Sequence, residues 1–214
     1  RRNLTGCRNV AIGTSALDAM QTGNYNVAVG YNALLANQTG IQNIAIGTFA
    51  LDAATTVANN VAVGHSALGA NTSGANNVAI GSNVLDSNLG GSDNVGVGYM
   101  VLDDNSTGYD NIALGRDALG DNTTGYMNHA IGRNTMRLNT TGVANVAIGR
   151  STMYTNTTGS NHTAVGYNAL YFNTTGTENT AYGMDALKYN ITGTNNTALG
   201  RRALRDNTTG TTNV

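Results

Sequence analysis

The sequence predicts an all-β fold, a parallel β-solenoid of about twelve 17-residue coils over its 214 residues. Three features predict it. The Gly that closes "NVAIG" and its variants stands at 13, 30, 47, 64, 81, 98, 115, 132, 149, 166, 183 and 200, always 17 apart and with no insertion. A second Gly follows ten residues later in each copy except one, where Val57 takes the slot. A short, mainly aliphatic run leads into the first Gly, as in "NVAIG". Seventeen residues are too few for a helix–turn–helix unit, and two Gly per copy would damage a helix. They suit one coil of short strands and Gly/Asn turns, stacked on the next at strand spacing. Twelve such coils would extend roughly 55–60 Å. The array runs unbroken over 1–214, starts and stops mid-repeat, and reads as one repeat domain cut from a longer fibrous protein.

Each column of the consensus G-x-x-A-L-x-x-N-x-T-G-x-x-N-V-A-I carries an expectation. The first Gly (Gly13, Gly30, Gly47) and the second (Gly125, Gly142, Gly159) are expected at turns with positive φ. Leu or Met fills the fifth position in all twelve copies. The lead-in "NTTG" places Asn122, Asn139 and Asn156 at a corner, where Asn and Thr side chains bond the backbone. The same triplets are glycosylation sequons, which would matter in a eukaryotic secreted protein. Asn residues in register can also bond one another from coil to coil. In "NVAI", alternate residues share a face. The column before the first Gly is aliphatic except at Tyr182 and is the expected core. The Val column two residues earlier drifts to Thr163, Thr180 and Thr197, which predicts partial burial. The Ala column between them (Ala11, Ala28, Ala45, once Gly96) would then face away. It is either a tolerated outward residue or a place where another chain's backbone approaches. So few large apolar side chains per coil offset little of the cost of ordering 17 residues, which favours burial against further chains.

Composition excludes much. Charged residues are 11% and the net charge is −1, so no basic field awaits nucleic acid. Nothing approaches a membrane-spanning apolar stretch, and Cys7 is the lone cysteine. No cofactor is implied. The Gly-rich turns lack the phosphate-binding patterns. His65, His129 and His162 lie in different columns and copies, and no zinc-ligand spacing occurs. No catalytic constellation is visible, so an enzyme is not expected. Asp18, Asp52, Asp86 and Asp103 share a partial column, read as a solvated edge before a cation site.

The candidate surface residues are Arg116, Arg133 and Arg150, which follow the first Gly in three consecutive copies, and the aromatics Tyr154, Tyr171 and Tyr189 with Phe172. Stacked arginines about 5 Å apart repel. They need Asp117, Asp121 or a neighbouring chain as partner, or an anionic ligand. Tyr31, Tyr99 and Tyr167 share the column of these arginines. Exposed rings stack on sugars, or pack between chains. A third possibility, ice binding, rests on the column Thr123, Thr140, Thr157 and Thr174.

"NVAIG" with its recurrent Gly turns resembles the head repeats of trimeric autotransporter adhesins. The stretch "TAVGYNALYFNTTG" at 163–176 is more similar to phage-type tail-fibre repeats. The resemblance covers the whole chain, although the adhesin head repeat is shorter than 17 residues. It implies a left-handed β-roll, a homotrimer, and an extracellular place on a cell surface or virion tail fibre. The expected function is therefore a structural fibre segment that supports attachment to a cell. The partners would be the chain's own copies, with a cell-surface glycan or receptor. The alternatives are a glycan-binding module on the side of the array and an ice-binding solenoid.

Overall fold

A computed structural model describes residues 5–214. The chain is all-β and forms two compact units, 1–109 and 110–214. Each contributes six three-residue strands. In the first unit these are β1 (Val10–Ile12), β2 (Val27–Val29), β3 (Ile44–Ile46), β4 (Val61–Val63), β5 (Val78–Ile80) and β6 (Val95–Val97). In the second they are β7 (Ile112–Leu114), β8 (His129–Ile131), β9 (Val146–Ile148), β10 (Thr163–Val165), β11 (Thr180–Tyr182) and β12 (Thr197–Leu199). Within each unit successive strands pair in parallel, and every residue meets its equivalent 17 positions on, as in Ala28 with Ala45 and Ala130 with Ala147. Each unit is thus a β-solenoid. The stacking continues around the coil: Leu34 N–H donates to Ala50 O at 3.0 Å, and Thr140 N–H to Thr157 O at 2.9 Å.

The core inverts the expected faces. The middle column is the inward one: Ala28, Ala45, Ala62, Ala113, Ala130, Ala147, Ala164 and Ala181 are fully buried. The flanking aliphatics look outward, with Ile12 60%, Ile46 40% and Ile80 41% exposed. The column before the first Gly is therefore not the core, and the Ala column is not a contact surface. The reason is thickness. Each strand faces the segment carrying the fourth and fifth positions of the repeat, for example Ala33 and Leu34, both fully buried. One Leu or Met fills the space opposite the strand, and the walls there stand too close for a second large side chain.

Gly96 displays this limit. Where the fourth position enlarges to Val84 and Val101, the facing residue shrinks from Ala to Gly. A Cβ on Gly96 would lie 2.6 Å from Val84 Cγ1 and 3.5 Å from Val101 Cγ1. The central Leu is also strained, with φ near +51° at Leu34, Leu119 and Leu170. A left-handed Leu costs about 1–2 kcal/mol, which complete burial of its side chain offsets.

The two Gly columns answer to different constraints. The first has positive φ, 139° at Gly30, and a Cβ there would also lie 2.7 Å from the carbonyl carbon of Gly47. The second does not have positive φ at Gly125, Gly142 or Gly159, contrary to expectation. It is Gly because of proximity: a Cβ on Gly142 would sit 2.5 Å from Gly159 O and 3.0 Å from Asn156 Nδ2. The copy with Val57 relaxes one part of this crowding: it replaces the coil's own buried Asn with Ala54, so one of the two amides that would meet a side chain is missing. The left-handed non-Gly positions in each coil are instead the third, fifth and thirteenth, such as Asn134, Met136 and Ala144.

Two Asn ladders complete the interior. Asn26 donates through Nδ2 to Asn9 Oδ1 at 3.3 Å and to Gly40 O at 2.8 Å. Its Oδ1 accepts from the backbone N–H and side-chain Nδ2 of Asn43 at 3.0 and 3.1 Å. Both donors and both lone pairs are used while the residue is fully buried. The second ladder runs through Asn122, Asn139 and Asn156. Asn139 Nδ2 donates to Asn122 Oδ1 at 2.9 Å, and Asn156 Nδ2 to Asn139 Oδ1 at 2.8 Å.

Gly96→Ala should destabilise the chain by about 1–3 kcal/mol through overpacking. Adding Val84→Ala should recover much of that loss. A urea-denaturation double-mutant cycle should show a coupling of about 1 kcal/mol or more, whereas additive effects would mean that the two side chains do not compete for the same space.

Candidate binding surface

Inward columns admit almost no variation, so variable chemistry lies on the outward columns. Arg116, Arg133 and Arg150 are all exposed, each one residue beyond a first Gly. Backbone pairing holds them in register, since Asn134 N–H donates to Arg116 O at 2.9 Å and Ser151 N–H to Arg133 O at 2.9 Å. Their partners differ. Arg116 Nε meets Asp117 Oδ2 at 3.1 Å. Asp121 is engaged by Arg137, from a different column. Among the described residues Arg133 and Arg150 form no ion pair. The Arg150 guanidinium lies 5.9 Å from the centre of the Tyr167 ring.

The aromatics converge in the second unit. Tyr154 and Tyr171, one coil apart, stack with centroids 5.2 Å apart and planes 7° apart. Phe172 and Tyr189 stack at 5.3 Å and 10°. Tyr171 and Phe172, adjacent in sequence, meet edge to face at 4.6 Å and join the two stacks. Cations border the array: Lys188 Nζ lies 5.6 Å from the Tyr189 centroid and Arg205 Cζ 5.1 Å from it. Lys188 also pairs with Asp185 at 3.3 Å. A groove of about 470 Å³ runs between Tyr167 on one side and Tyr154, Tyr171 and Lys188 on the other, with Arg150 and Asn134 in its wall. An apolar groove of about 560 Å³ lies on the far side of Phe172 and Tyr189, lined also by Thr174 and Ile191. Tyr154, Tyr171, Tyr189 and Arg150 are thus brought together. Arg116 and Arg133 do not line either groove. Tyr167 and Lys188 complete the groove, and the signal for Lys188 was its place 17 residues after Tyr171, in the column of Tyr154 and Tyr171.

The remaining candidates resolve into structural detail. The hydroxyls of Thr123, Thr140, Thr157 and Thr174 each donate to a main-chain carbonyl of the next coil at 3.0–3.1 Å. Their donors are engaged in stacking. The sequon residues Asn71, Asn105, Asn122, Asn139, Asn156, Asn173 and Asn190 are fully buried. A sugar on any of these amides would require the coil to open. Asp52 and Asp86 lie on either side of Gly69, and a Cβ there would be 3.7 and 2.6 Å from their Oδ1 atoms. Partial burial raises both carboxyl pKa values, Asp52 further by the charge of Asp86. Among the described residues no three His, Cys, Asp or Glu are grouped to hold a metal.

His162 replaces one rung of the first Asn ladder. Its Nε2 stands 2.7 Å from Gly176 O, which can only accept, so Nε2 carries the proton. Its Nδ1 accepts from the Asn179 N–H at 3.1 Å. The two ring nitrogens therefore reproduce the donor and acceptor of an Asn amide. Burial pushes its pKa down to about 4.

No family model, curated protein or solved structure matches the chain.

His162 binds its proton more weakly folded than unfolded, where its pKa is about 6.5. The unfolded chain therefore takes up protons first as pH falls, and stability drops between about 6.5 and about 4, by at most about 3 kcal/mol. His162→Asn should restore the ladder and remove that part of the pH dependence in denaturation midpoints measured from pH 7 to 4.

Proposed function

We propose that the chain is a structural segment of an extracellular, homotrimeric fibre that supports attachment to a cell surface. It would be a left-handed β-roll in a cell-surface adhesin or a virion tail fibre. The observation that carries this reading is the outward apolar face. Val10 and Ile12, Ile44 and Ile46, and Val78 and Ile80 stand in two parallel columns of the first unit, each only partly covered. In the second unit Ile131 and Ile148 continue the pattern, 37% and 39% exposed. Such a continuous apolar strip on a sheet face marks an association surface. An array of identical coils offers the same strip to identical neighbours, which favours closed cyclic assembly of one chain. The Ile and Val columns, not the Ala column, are the surfaces that would meet. The resemblance of "NVAIG" to adhesin heads, and of 163–176 to tail-fibre repeats, supplies the trimer and the extracellular setting.

Light scattering of the purified chain should give about three times 22.0 kDa. Ile46→Asp combined with Ile80→Asp should lower the mass toward 22.0 kDa while the far-ultraviolet circular dichroism stays that of a β fold. A folded, unsubstituted monomer would sink the trimeric reading.

A further inference from the structure

We propose that the groove between Tyr167 and the Tyr154–Tyr171 stack binds a carboxylated saccharide. The proposal goes beyond a purely structural role. Its first support is charge. Arg150 and Lys188 line the groove, and no carboxylate lines it with them. Lys188 is held by Asp185, but Arg150 forms no ion pair among the described residues. A planar guanidinium free of carboxylate is matched to a carboxylate, which it can engage through two N–H donors.

The second support is the ring array. Tyr154, Tyr167 and Tyr171 present aromatic carbon beside phenol hydroxyls, and Asn134 adds an amide to the lining, while the Asn168 amide donates to Asp185 Oδ1 at 3.4 Å. Sugars carry C–H patches beside hydroxyls, so a wall of this mixed character matches them on both counts. The exposed surface of this lining is mainly polar, which suits a hydroxyl-rich ligand, and about 470 Å³ accommodates one or two sugar rings.

The third support is that the fold does not ask for these rings. The sixth and seventh positions, which hold Tyr154, Tyr171, Phe172 and Tyr189, hold Leu35, Ala36, Asp52, Ala53, Gly69 and Ala70 in earlier coils with the same strand pairing. Small residues there suffice to build the coil. The rings are also held in place before any ligand arrives. Tyr154 and Tyr171 are stacked, and Thr155 Oγ1 donates to the Tyr171 carbonyl at 2.9 Å. Rings already fixed lose little side-chain entropy on binding.

The test is saturation-transfer NMR on the whole chain with D-glucuronate, and with D-glucose and acetate as controls. Glucuronate should saturate the signal, bind at least fivefold more tightly than glucose or acetate, and weaken as salt is raised from low to physiological strength. Arg150→Ala and Tyr171→Ala should each cost at least fivefold in affinity, while Arg201→Ala, outside the groove, should cost nothing. Circular dichroism of each variant confirms that the coils are intact. Equal binding of acetate would reduce the groove to a bare anion site and overturn the proposal. Absence of glucuronate binding, or full binding by Arg150→Ala, would overturn it too.

Discussion

In-register stacking of coils is the interaction on which the rest of the structure depends. Three-residue strands make few ladder bonds, so the coil must bond to its neighbour around the whole circumference. The Asn ladders make that possible inside the coil. Each buried amide has two donors and two lone pairs, and Asn26 places all four, between the coils before and after it and a turn carbonyl. A partly satisfied amide in this position would cost more than it contributes. The requirement explains why His162 is tolerated: its ring nitrogens lie at the spacing needed to donate to Gly176 O and accept from Asn179 N–H. It also explains the second Gly, which lets the chain pass close enough for the amides to reach both neighbours.

The period of 17, the parallel stacking and the Asn corners were legible because each is a translation of one repeated chemical unit into the next. Which face of the strand points inward was not legible. Alternation says only that Ala11 and Ile12 lie on opposite sides, and the usual preference assigns the larger residue to the core. That preference fails when the interior is one side chain wide. The clue was present in the compensation at Gly96, where the Ala column loses its methyl beside Val84 and Val101. Two columns that trade volume must touch, and only inward columns can do so. The second Gly was misread for a related reason. Gly signals either positive φ or close approach, and one sequence cannot separate them, whereas the paired replacements at Ala54 and Val57 point to approach.

The candidate site was legible in part. The aromatic and arginine columns stood out as departures from a monotonous repeat, and Tyr154, Tyr171 and Tyr189 do converge. Their stacking follows directly from register, since residues 17 apart are neighbours in space, as with Tyr154 and Tyr171. What register alone cannot supply is the pairing of charges. Asp121 turns to Arg137 and not to the Arg116 column, because the choice depends on side-chain reach across columns. Tyr167 and Lys188 close the groove in register, Tyr167 one coil on from Arg150 and Lys188 one coil on from Tyr171.

The architecture separates its constraints by column. Inward positions are constrained by volume and by the amide ladders, and a change there is answered in the facing column at Gly96 and by a main-chain hydrogen bond at Thr135 and Thr152. Outward positions meet no such demand, so they are where a binding property can arise without loss of the fold. The two outward regions then differ in kind. The strand face repeats Val and Ile with little charge, which suits contact with a surface of the same repeating geometry. The sixth and seventh positions change from Leu35, Asp52 and Ala53 in the first unit to Tyr154, Tyr171, Phe172, Lys188 and Tyr189 in the second. A surface that only had to stack coils would show no such concentration, so the groove beside Arg150 is where this array departs furthest from what its own fold requires.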